Sequence, residues 1–285
     1  MTKKIALLVD SGMDVPTPVI EKGGVYVVPL NIMYQTDIYL DKIDISAKEV
    51  YDRLDEEIPK TSLPSIPFIE KTIEKIIEDG YTDLICITIS SGLSGTHNAL
   101  RLMLEDWQEQ LPSAIVDTKS IGIGGGVQGA YAKDLIDSGL DFDTIVTKLK
   151  DIQPRGRVFF SIPTLEYLKK GGRIGLVTSI LGNALNLHPL ISCNEDGIYH
   201  TINKARGRKR SIKKMKDAIR ETIGSSRTVY LGVAYGTCID DALELISELK
   251  EEFPFIETIY LDEVSPVLGV HTGPGIIGVG VLPIN

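Results

Sequence analysis

The sequence predicts an α/β protein of two domains, and three observations support this fold class. Short apolar segments alternate with segments of helical period, which is typical of a mostly parallel sheet covered by helices. The chain has 285 residues, which suits two domains of about 150 residues each. The turn-forming segment Gln153-Pro-Arg-Gly156 separates two such series of elements. We therefore expect an N-terminal domain over residues 1–155 and a C-terminal domain over residues 156–285.

The first half opens with strands predicted over residues 4–9 and 25–30, with a short helix that begins at Pro16 between them. Ser46-Ala-Lys-Glu49 is a capping box and predicts a helix that ends near Glu56. The remaining predicted elements are, in order, a helix over 66–79, a strand over 83–89, a helix over 94–110, a strand over 114–117, a helix that ends near 136 and a helix over 144–149.

In the second half we predict strands over residues 158–161, 198–203, 228–234, 257–261 and 276–282, and helices over 211–223 and 240–250. Residues 174–194 carry no formal charge over a length that could cross a membrane, but their glycines, asparagines and Pro189 make a poor span. The apolar residues of 177–185 recur at helical spacing, which predicts a buried amphipathic helix. This helix either packs in the core or lines an apolar ligand cavity.

Charge and cysteine content narrow the class of function. A net charge of −9 argues against a nucleic-acid partner. Eight Lys and Arg residues nevertheless fall within residues 204–216 with no acid among them, either as a solvated helix face or as a docking patch for an acidic partner or a polyphosphate. The three cysteines lie far apart and the N-terminus does not read as a signal peptide, so we expect a reduced cytoplasmic protein without a metal site.

The segment Thr88-Ile-Ser-Ser-Gly-Leu-Ser-Gly-Thr96 carries the strongest local signal for a ligand. It follows a predicted strand and precedes a predicted helix, so its glycines, hydroxyls and the helix N-terminus could bind an anion. Phosphate, carboxylate and a transient oxyanion could each accept hydrogen bonds from these donors. Ordinary capping of the helix by short hydroxyl residues is the alternative.

Three enzyme motifs fit poorly. The nucleophile elbow G-x-S-x-G is not satisfied, because Gly92-Leu-Ser-Gly-Thr96 ends in threonine. Ser94 and His271 could still form a nucleophile and base, since such pairs are defined by geometry. Gly124-Gly-Gly-Val-Gln-Gly129 matches G-x-G-x-x-G but does not follow its strand directly, so a tight start of a helix is favoured over a nucleotide site. The P-loop sequence for ATP is absent.

Two further segments suggest function. Lys60-Thr-Ser-Leu-Pro-Ser65 places hydroxyls in a proline-containing loop, and Val270-His-Thr-Gly-Pro-Gly275 places a histidine in a glycine-rich loop. Ordinary turn chemistry would explain either segment.

Six motifs together give the sequence a family resemblance. They are Asp10-Ser11, Lys60-Thr-Ser62, Ile89-Ser-Ser-Gly-Leu-Ser-Gly-Thr96, Asp117-Thr-Lys-Ser120, Leu168-Lys-Lys-Gly-Gly-Arg-Ile174 and His271-Thr-Gly-Pro-Gly275. In this order, over almost the whole chain, they resemble the DegV family.

This resemblance implies an N-terminal parallel α/β domain, a second α/β domain with a mixed sheet and a ligand tunnel between them, the EDD fold. It implies a bacterial, non-catalytic subunit that needs no cofactor. Such a subunit binds a long-chain fatty acid such as palmitate or stearate. It offers the carboxylate to a separate fatty acid kinase, which makes acyl-phosphate for phospholipid metabolism. The alternative from another class is a serine hydrolase of acyl esters with Ser94 as nucleophile and His271 as base.

The resemblance also assigns residues. It implies that Thr61, Ser94 and His271 contact the carboxylate, and two hydroxyls and an imidazole N–H can satisfy its oxygens without a full opposing charge. The resemblance further implies that five residues support the pocket: Asp10, Ser11, Ser62, Gly95 and Thr96. Arg173 and Arg206 would lie near the mouth and the kinase-docking face.

Two histidines depart from the family pattern. His97 stands where an aromatic residue is usual, and His188 precedes Pro189 where lysine is common. Their roles, and the preferred chain length or unsaturation of the ligand, do not follow from the sequence.

Overall fold

The computed structural model describes residues 4–180 and 187–285. The strands are β1 (Ile5–Asp10), β2 (Val25–Val28), β3 (Asn31–Met33), β4 (Ile38–Leu40), β5 (Lys60–Ser62), β6 (Asp83–Thr88), β7 (Ser113–Asp117), β8 (Arg157–Ser161), β9 (Leu187–Cys193), β10 (Tyr199–Arg206), β11 (Val229–Tyr235), β12 (Ile259–Glu263) and β13 (Ile277–Pro283). The helices are α1 (Thr17–Ile20), α2 (Ala47–Arg53), α3 (Ile66–Glu78), α4 (Thr96–Asp106), α5 (Ile123–Asp137), α6 (Phe142–Ile152), α7 (Glu166–Lys170), α8 (Arg208–Ile223), α9 (Ile239–Glu252) and α10 (Pro266–Thr272). Short 3₁₀ helices cover Ser11–Met13, Gln153–Arg155 and Gly175–Ile180.

The first sheet has the order β2-β1-β6-β7, and all its strands are parallel. Helices α3 and α4 pack on one face through Ile73, Ile76 and Leu100. Helices α5 and α6 pack on the other. The chain runs from β1 outward to β2 on one side and through β6 to β7 on the other. The carboxyl ends of β1 and β6 therefore flank a topological switch point, where open α/β sheets bind ligands.

A small antiparallel sheet with the order β4-β3-β5 lies beside this sheet. It corrects the predicted loop at residues 60–65, because Lys60–Ser62 forms a strand and Thr61 pairs with Ile32. Three residues with polar side chains give no periodic signal, so the pairing with β3 decides their conformation.

The second sheet has six strands in the order β10-β9-β8-β13-β11-β12. Only the β11–β12 pair is parallel, so the expectation of a mixed sheet is confirmed. Helices α8 and α9 cover one face through Met215, Ile219 and Leu245. Helix α5 covers part of the other face.

Helix α5 therefore packs between the two sheets, and its glycines explain the G-x-G-x-x-G sequence. A Cβ atom on Gly126 would lie 2.3 Å from the carbonyl oxygen of Asp14, and one on Gly124 would lie 2.4 Å from the Cβ of Val158. These glycines admit close backbone packing at the start of a buried helix, as the sequence favoured. The domain boundary at residues 155 and 156 stays a prediction.

The capping box at Ser46 and Glu49 is present as predicted, with both reciprocal hydrogen bonds formed. Besides the loop at residues 60–65, two other predictions were wrong. The strand β9 was missed in the uncharged stretch. Residues 270–275 were read as a loop, but His271 lies in the last turn of α10. Of the predicted helix over 177–185, residues up to Ile180 form a 3₁₀ helix with Val177 buried, and residues 181–186 lie outside the described part of the chain.

Within the ranges 4–180 and 187–285, we find no helix with the length and apolar character needed to span a membrane.

Candidate functional site

A largely apolar cavity opens at the carboxyl ends of β1 and β6 and reaches the face of the second sheet that carries α5. The space between its walls, mouth included, is about 730 Å³. Its apolar walls are Leu30, Ile89, Leu93, Ile121, Ile123, Val158, Phe160, Ala234, Val264, Val267, Leu268 and Ile276. Its polar groups include Thr61, Ser94, Arg173 and His271. The lining is thus suited to a ligand with an apolar body and one polar end.

The polar end is centred on a hydrogen bond between Thr61 and His271. Thr61 Oγ1 lies 2.8 Å from His271 Nε2, although the residues are 210 positions apart in sequence. Strand β5 presents the threonine and helix α10 presents the histidine. The bond ties the small sheet of the first half to a helix near the end of the chain.

His271 is neutral at physiological pH because it is buried. Its side chain is only 8% exposed, and burial, with a smaller contribution from the nearby Arg173, lowers the pKa of His271 to about 4. Its Nδ1 atom is buried and has no hydrogen-bond partner among the described residues. The imidazole ring can therefore form hydrogen bonds through its nitrogen atoms without carrying a full charge.

Two glycines make room for this histidine. A Cβ atom on Gly171 would lie 2.1 Å from His271 Nδ1, so any larger residue there would displace the ring. Gly273 ends helix α10 with φ +69, and its own Cβ would overlap the ring of Tyr167 at 2.3 Å. Both glycines belong to the motifs that suggested the family, and their spatial role is to shape the wall around His271.

Two buried carboxylates of the first half hold the start of α10. Asp41 Oδ1 accepts the Val267 N–H at 2.9 Å, and Asp14 accepts the Ser265 N–H at 3.2 Å. Asp14 also forms an ion pair with Lys42 at 2.9 Å. Burial raises the pKa of Asp41 to about 6. Because these contacts cap the free N–H groups of a short helix, they fix the position of His271.

Ser94 lies on the cavity wall just before α4. Its Oγ atom is 2.8 Å from Thr96 Oγ1 and accepts the Thr96 N–H at 3.3 Å. Exposed backbone N–H groups were expected within Thr88–Thr96, but those of residues 91–94 bond internally to Asp117 and Ser90. The polar group of this stretch that lines the cavity is the side-chain hydroxyl of Ser94.

The residues predicted to support the pocket lie behind its walls. Asp10 accepts the N–H groups of Gly12 and Ile89 at 3.0 and 2.8 Å, which joins the ends of β1 and β6. Burial raises the pKa of Asp10 to about 7. Ser11 Oγ accepts the Leu30 N–H at 3.0 Å. Asp10 and Ser11 thus brace the loops that carry Ile89 and Leu30 into the wall.

Three other supporting residues are local. Ser62 Oγ accepts an N–H of Asn31 at 3.2 Å. Gly95 lies against Leu63 without crowding, with a virtual Cβ contact of 3.6 Å. Thr96 is fully buried beside Ser94. None of the three lines the cavity.

The two predicted arginines lie in different places. Arg173 lines the cavity, and its Nη1 donates to the Gly171 carbonyl at 2.8 Å. Arg206 is exposed at the end of β10, next to the basic start of α8. Arg173 therefore belongs to the cavity wall, whereas Arg206 belongs to the outer surface.

The two unusual histidines lie outside the cavity wall. His97 Nδ1 is 3.0 Å from Thr88 Oγ1, and burial lowers its pKa. His188 lies on β9, where burial and then Arg208 lower its pKa. Its Nδ1 is buried and unpaired among the described residues.

The hydrolase alternative finds no support in this geometry. Ser94 bonds to Thr96 and the Nε2 of His271 bonds to Thr61, so the serine and histidine are not hydrogen-bonded to each other. Within the described part of the chain, no carboxylate bonds to the imidazole of His271, whereas a triad orients its base with a third group. No three His, Cys, Asp or Glu side chains of that part meet as a candidate metal site.

Sequence reasoning missed several wall residues. Asp14 and Tyr199 both line the cavity, and Asp14 has a left-handed backbone, φ 45, with its side chain buried. No local pattern marks these residues. A motif search could have found Asp14 only through its spacing of four residues after Asp10.

Comparison with known proteins now places the chain. A family model described as "Uncharacterised protein, DegV family" matches residues 4–283. The chain belongs to the DegV family. A DegV domain-containing protein of Clostridium acetobutylicum is 42% identical over 277 residues, which cover 97% of this chain and 98% of that protein.

Solved DegV structures share the fold. A fatty acid binding DegV family protein from Thermus thermophilus superposes with a TM-score of 0.91 at 28% identity, covering 98% of this chain and 99% of that one. A stearic acid-binding protein from Eubacterium ventriosum superposes with a TM-score of 0.86 at 27% identity, covering 99% and 98%. The expectation of a DegV-like α/β fold is confirmed.

Proposed function

We propose that this DegV protein binds a long-chain fatty acid, with the acyl chain in the apolar cavity and the carboxylate at Thr61, Ser94 and His271. The observation that carries the proposal is the Thr61–His271 hydrogen bond at the polar end of a largely apolar cavity. The fatty acid binding of the Thermus thermophilus and Eubacterium ventriosum proteins supports the same ligand class.

The chemistry of the polar end suits a carboxylate. A buried anion needs hydrogen bonds to replace its water, and Thr61 and Ser94 each offer a hydroxyl donor. A neutral His271 carries one N–H. With this proton on Nε2, it donates to Thr61 Oγ1, so the threonine hydroxyl turns its own proton toward the ligand. Arg173 lies in the same wall, and the Nη1 atom of its guanidinium group donates to the Gly171 carbonyl.

We further propose that the bound carboxylate is presented to a separate ATP-dependent kinase. A carboxylate oxygen would attack the γ-phosphorus of ATP, forming an acyl O–P bond as the bond to ADP breaks. Hydroxyl and imidazole donors leave the carboxylate more nucleophilic than a bidentate arginine pair would. The exposed Arg206 and the basic start of α8 provide a surface of the charge that an acidic partner needs.

Lipid analysis tests ligand binding. The purified protein would be extracted with organic solvent, and the extract analysed by mass spectrometry. We expect a long-chain fatty acid in near-stoichiometric amount, and its loss in a Thr61→Val, Ser94→Ala double variant. A protein that stays empty after incubation with palmitate or stearate would contradict the proposal.

Kinase coupling needs a separate test. Arg206→Ala should retain fatty acid but lower the rate at which a bacterial fatty acid kinase forms acyl-phosphate from ATP. Arg101→Ala is the matched control, since Arg101 is a partly exposed arginine on α4 that pairs with Glu105. Equal loss of bound lipid in the Arg206 and Thr61 variants would contradict this division of roles.

A further inference from the structure

The centre of the second sheet carries four small residues on the face toward α5 and the cavity. Strands β11 and β13 pair Gly232 with Gly280 and Ala234 with Gly278. The residues that alternate with these glycines on β13 are large and pack with α8 and α9 on the opposite face: Ile277, Val279 and Val281. Because side chains alternate along a strand, all four small residues share one face.

Helix α5 explains the first of these pairs. A Cβ atom on Gly280 would lie 2.3 Å from the carbonyl oxygen of Ile123, and one on Gly232 would lie 2.6 Å from the Ile123 side chain. The start of α5 rests directly on this pair. Glycine is therefore required here by helix packing.

The second pair has no such requirement. A Cβ atom on Gly278 would meet only Phe160 Cβ at 3.5 Å and the Phe159 carbonyl at 3.7 Å, which are ordinary contacts. Ala234 and Gly278 both line the cavity. Glycine weakens a strand interior, and packing between protein groups does not account for it at this position. Space for a bound molecule does.

The polar end of this cavity is an independent observation that favours a ligand there. The Thr61–His271 hydrogen bond lies in a wall that is largely apolar, and His271 is only 8% exposed. A ligand anchored at that polar end extends its apolar part along the remaining walls, which include the small pair on the sheet.

We infer that the cross-strand pair Ala234–Gly278 determines the length of acyl chain that the cavity accepts. The inference rests on the proposed fatty acid binding. Because small side chains project little from β11 and β13, a long acyl chain fits against this face of the sheet. Larger side chains would fill that space and leave the last methylenes of a long chain unburied.

The experiment measures the affinity of the delipidated protein for laurate, myristate, palmitate and stearate. In Gly278→Ala and Ala234→Val, the affinity for stearate should fall relative to the affinity for myristate. The expected loss is about fourfold for each methylene group that the larger side chain excludes from the cavity. Ala234→Gly should change the ratio in the opposite direction. Two enlarging variants are used so that a folding defect in one leaves the other informative.

Gly280→Ala is the matched control on the same face of the same strand. Its methyl would strike the backbone of α5, so we expect a lower melting temperature with the wild-type order of chain lengths. An unchanged order in both enlarging variants would overturn the inference, as would the same shift in Gly280→Ala.

The outcomes also separate this inference from the proposed function. If wild-type protein binds fatty acid and Thr61→Val weakens the binding of every chain length equally, the carboxylate site stands. An unchanged chain-length order in the Ala234 and Gly278 variants then overturns the inference alone. Failure of wild-type protein to bind any of the four acids overturns both.

Discussion

Among the residues that the structure describes, two threonine–histidine pairs are joined by hydrogen bonds, and one of these pairs lies in the cavity. Thr61 and His271 meet at 2.8 Å across two distant parts of the chain, while Thr88 and His97 meet at 3.0 Å within one loop and the start of α4. His271 is almost fully buried among apolar walls. His97 is half-buried, with Asp117, Lys119 and Arg101 close enough to affect its pKa.

The same two residue types therefore do different work in different surroundings. The Thr88–His97 pair braces a loop, and charged groups nearby affect the pKa of its histidine. The Thr61–His271 pair has a neutral ring and an adjacent apolar space. Under the proposed function, the cavity around the pair, and not the pair itself, marks the carboxylate site. Matched substitutions in the two pairs test this conclusion.

The largest effect on binding is expected from Gly171→Ala. The new methyl group would lie 2.1 Å from His271 Nδ1, which forces the ring away from Thr61. We expect the affinity for palmitate to fall by about 100-fold, since hydrogen bonds to a charged group are each worth about 1.5–3 kcal/mol. Gly95→Ala is the control, because its methyl would meet Leu63 at an ordinary 3.6 Å. A titration of both variants with palmitate measures this, and equal affinities would contradict the account.

Thr61→Val should give the next largest loss. Valine keeps the shape of threonine but removes the hydroxyl donor, so affinity for palmitate should fall by about 10- to 100-fold. Thr88→Val removes the corresponding hydroxyl of the other pair and should change affinity by less than about twofold. Isothermal titration of the two variants compares the pairs directly. A larger loss in Thr88→Val would reverse the assignment.

The third prediction concerns the free energy of unfolding and its dependence on pH. Native His271 has a pKa of about 4, while the unfolded residue has one near 6.5. As pH falls from 6.5 to 4 the unfolded state takes up a proton first, so unfolding becomes easier by up to about 3 kcal/mol. Above pH 6.5 this contribution is absent.

The measurement is urea unfolding of ligand-free protein at pH 7.5 and 4.5. Asp10 and Asp41 have raised pKa values and act with the opposite sign, so the quantity of interest is the difference between wild type and His271→Gln. We expect the variant to lose less stability on acidification than wild type. His97→Gln should lose stability on acidification much as wild type does. If His97→Gln differs from wild type more than His271→Gln does, the proposed difference in burial between the two histidines is contradicted.

Much of the fold was predictable because its signals are local. The capping box at Ser46 fixes the start of α2, and the apolar runs of β1 and β6 mark buried parallel strands. Helix α10 was not predictable in the same way. It is seven residues long, contains Gly269, and starts where Asp14 and Asp41 supply its capping bonds from the other half of the chain.

The candidate site likewise has a part that local sequence predicts and a part that depends on tertiary structure. The hydroxyls of residues 88–96 indicate an anion site from local sequence alone, but the meeting of Thr61 with His271 depends on tertiary structure. Only the ordered set of family motifs placed both residues in one site before the fold was known. The wall formed by Ala234 and Gly278 gave no sequence signal, because small residues in a strand do not reveal what lies above them.

A crystal structure of the protein with bound stearate tests the central claim most directly. The account predicts carboxylate oxygens within hydrogen-bond distance of Thr61 Oγ1 and Ser94 Oγ, His271 in contact with the same group, and the acyl chain along Phe160, Ala234 and Gly278. A carboxylate placed beside Thr88 and His97, or an acyl chain outside the cavity, would contradict it.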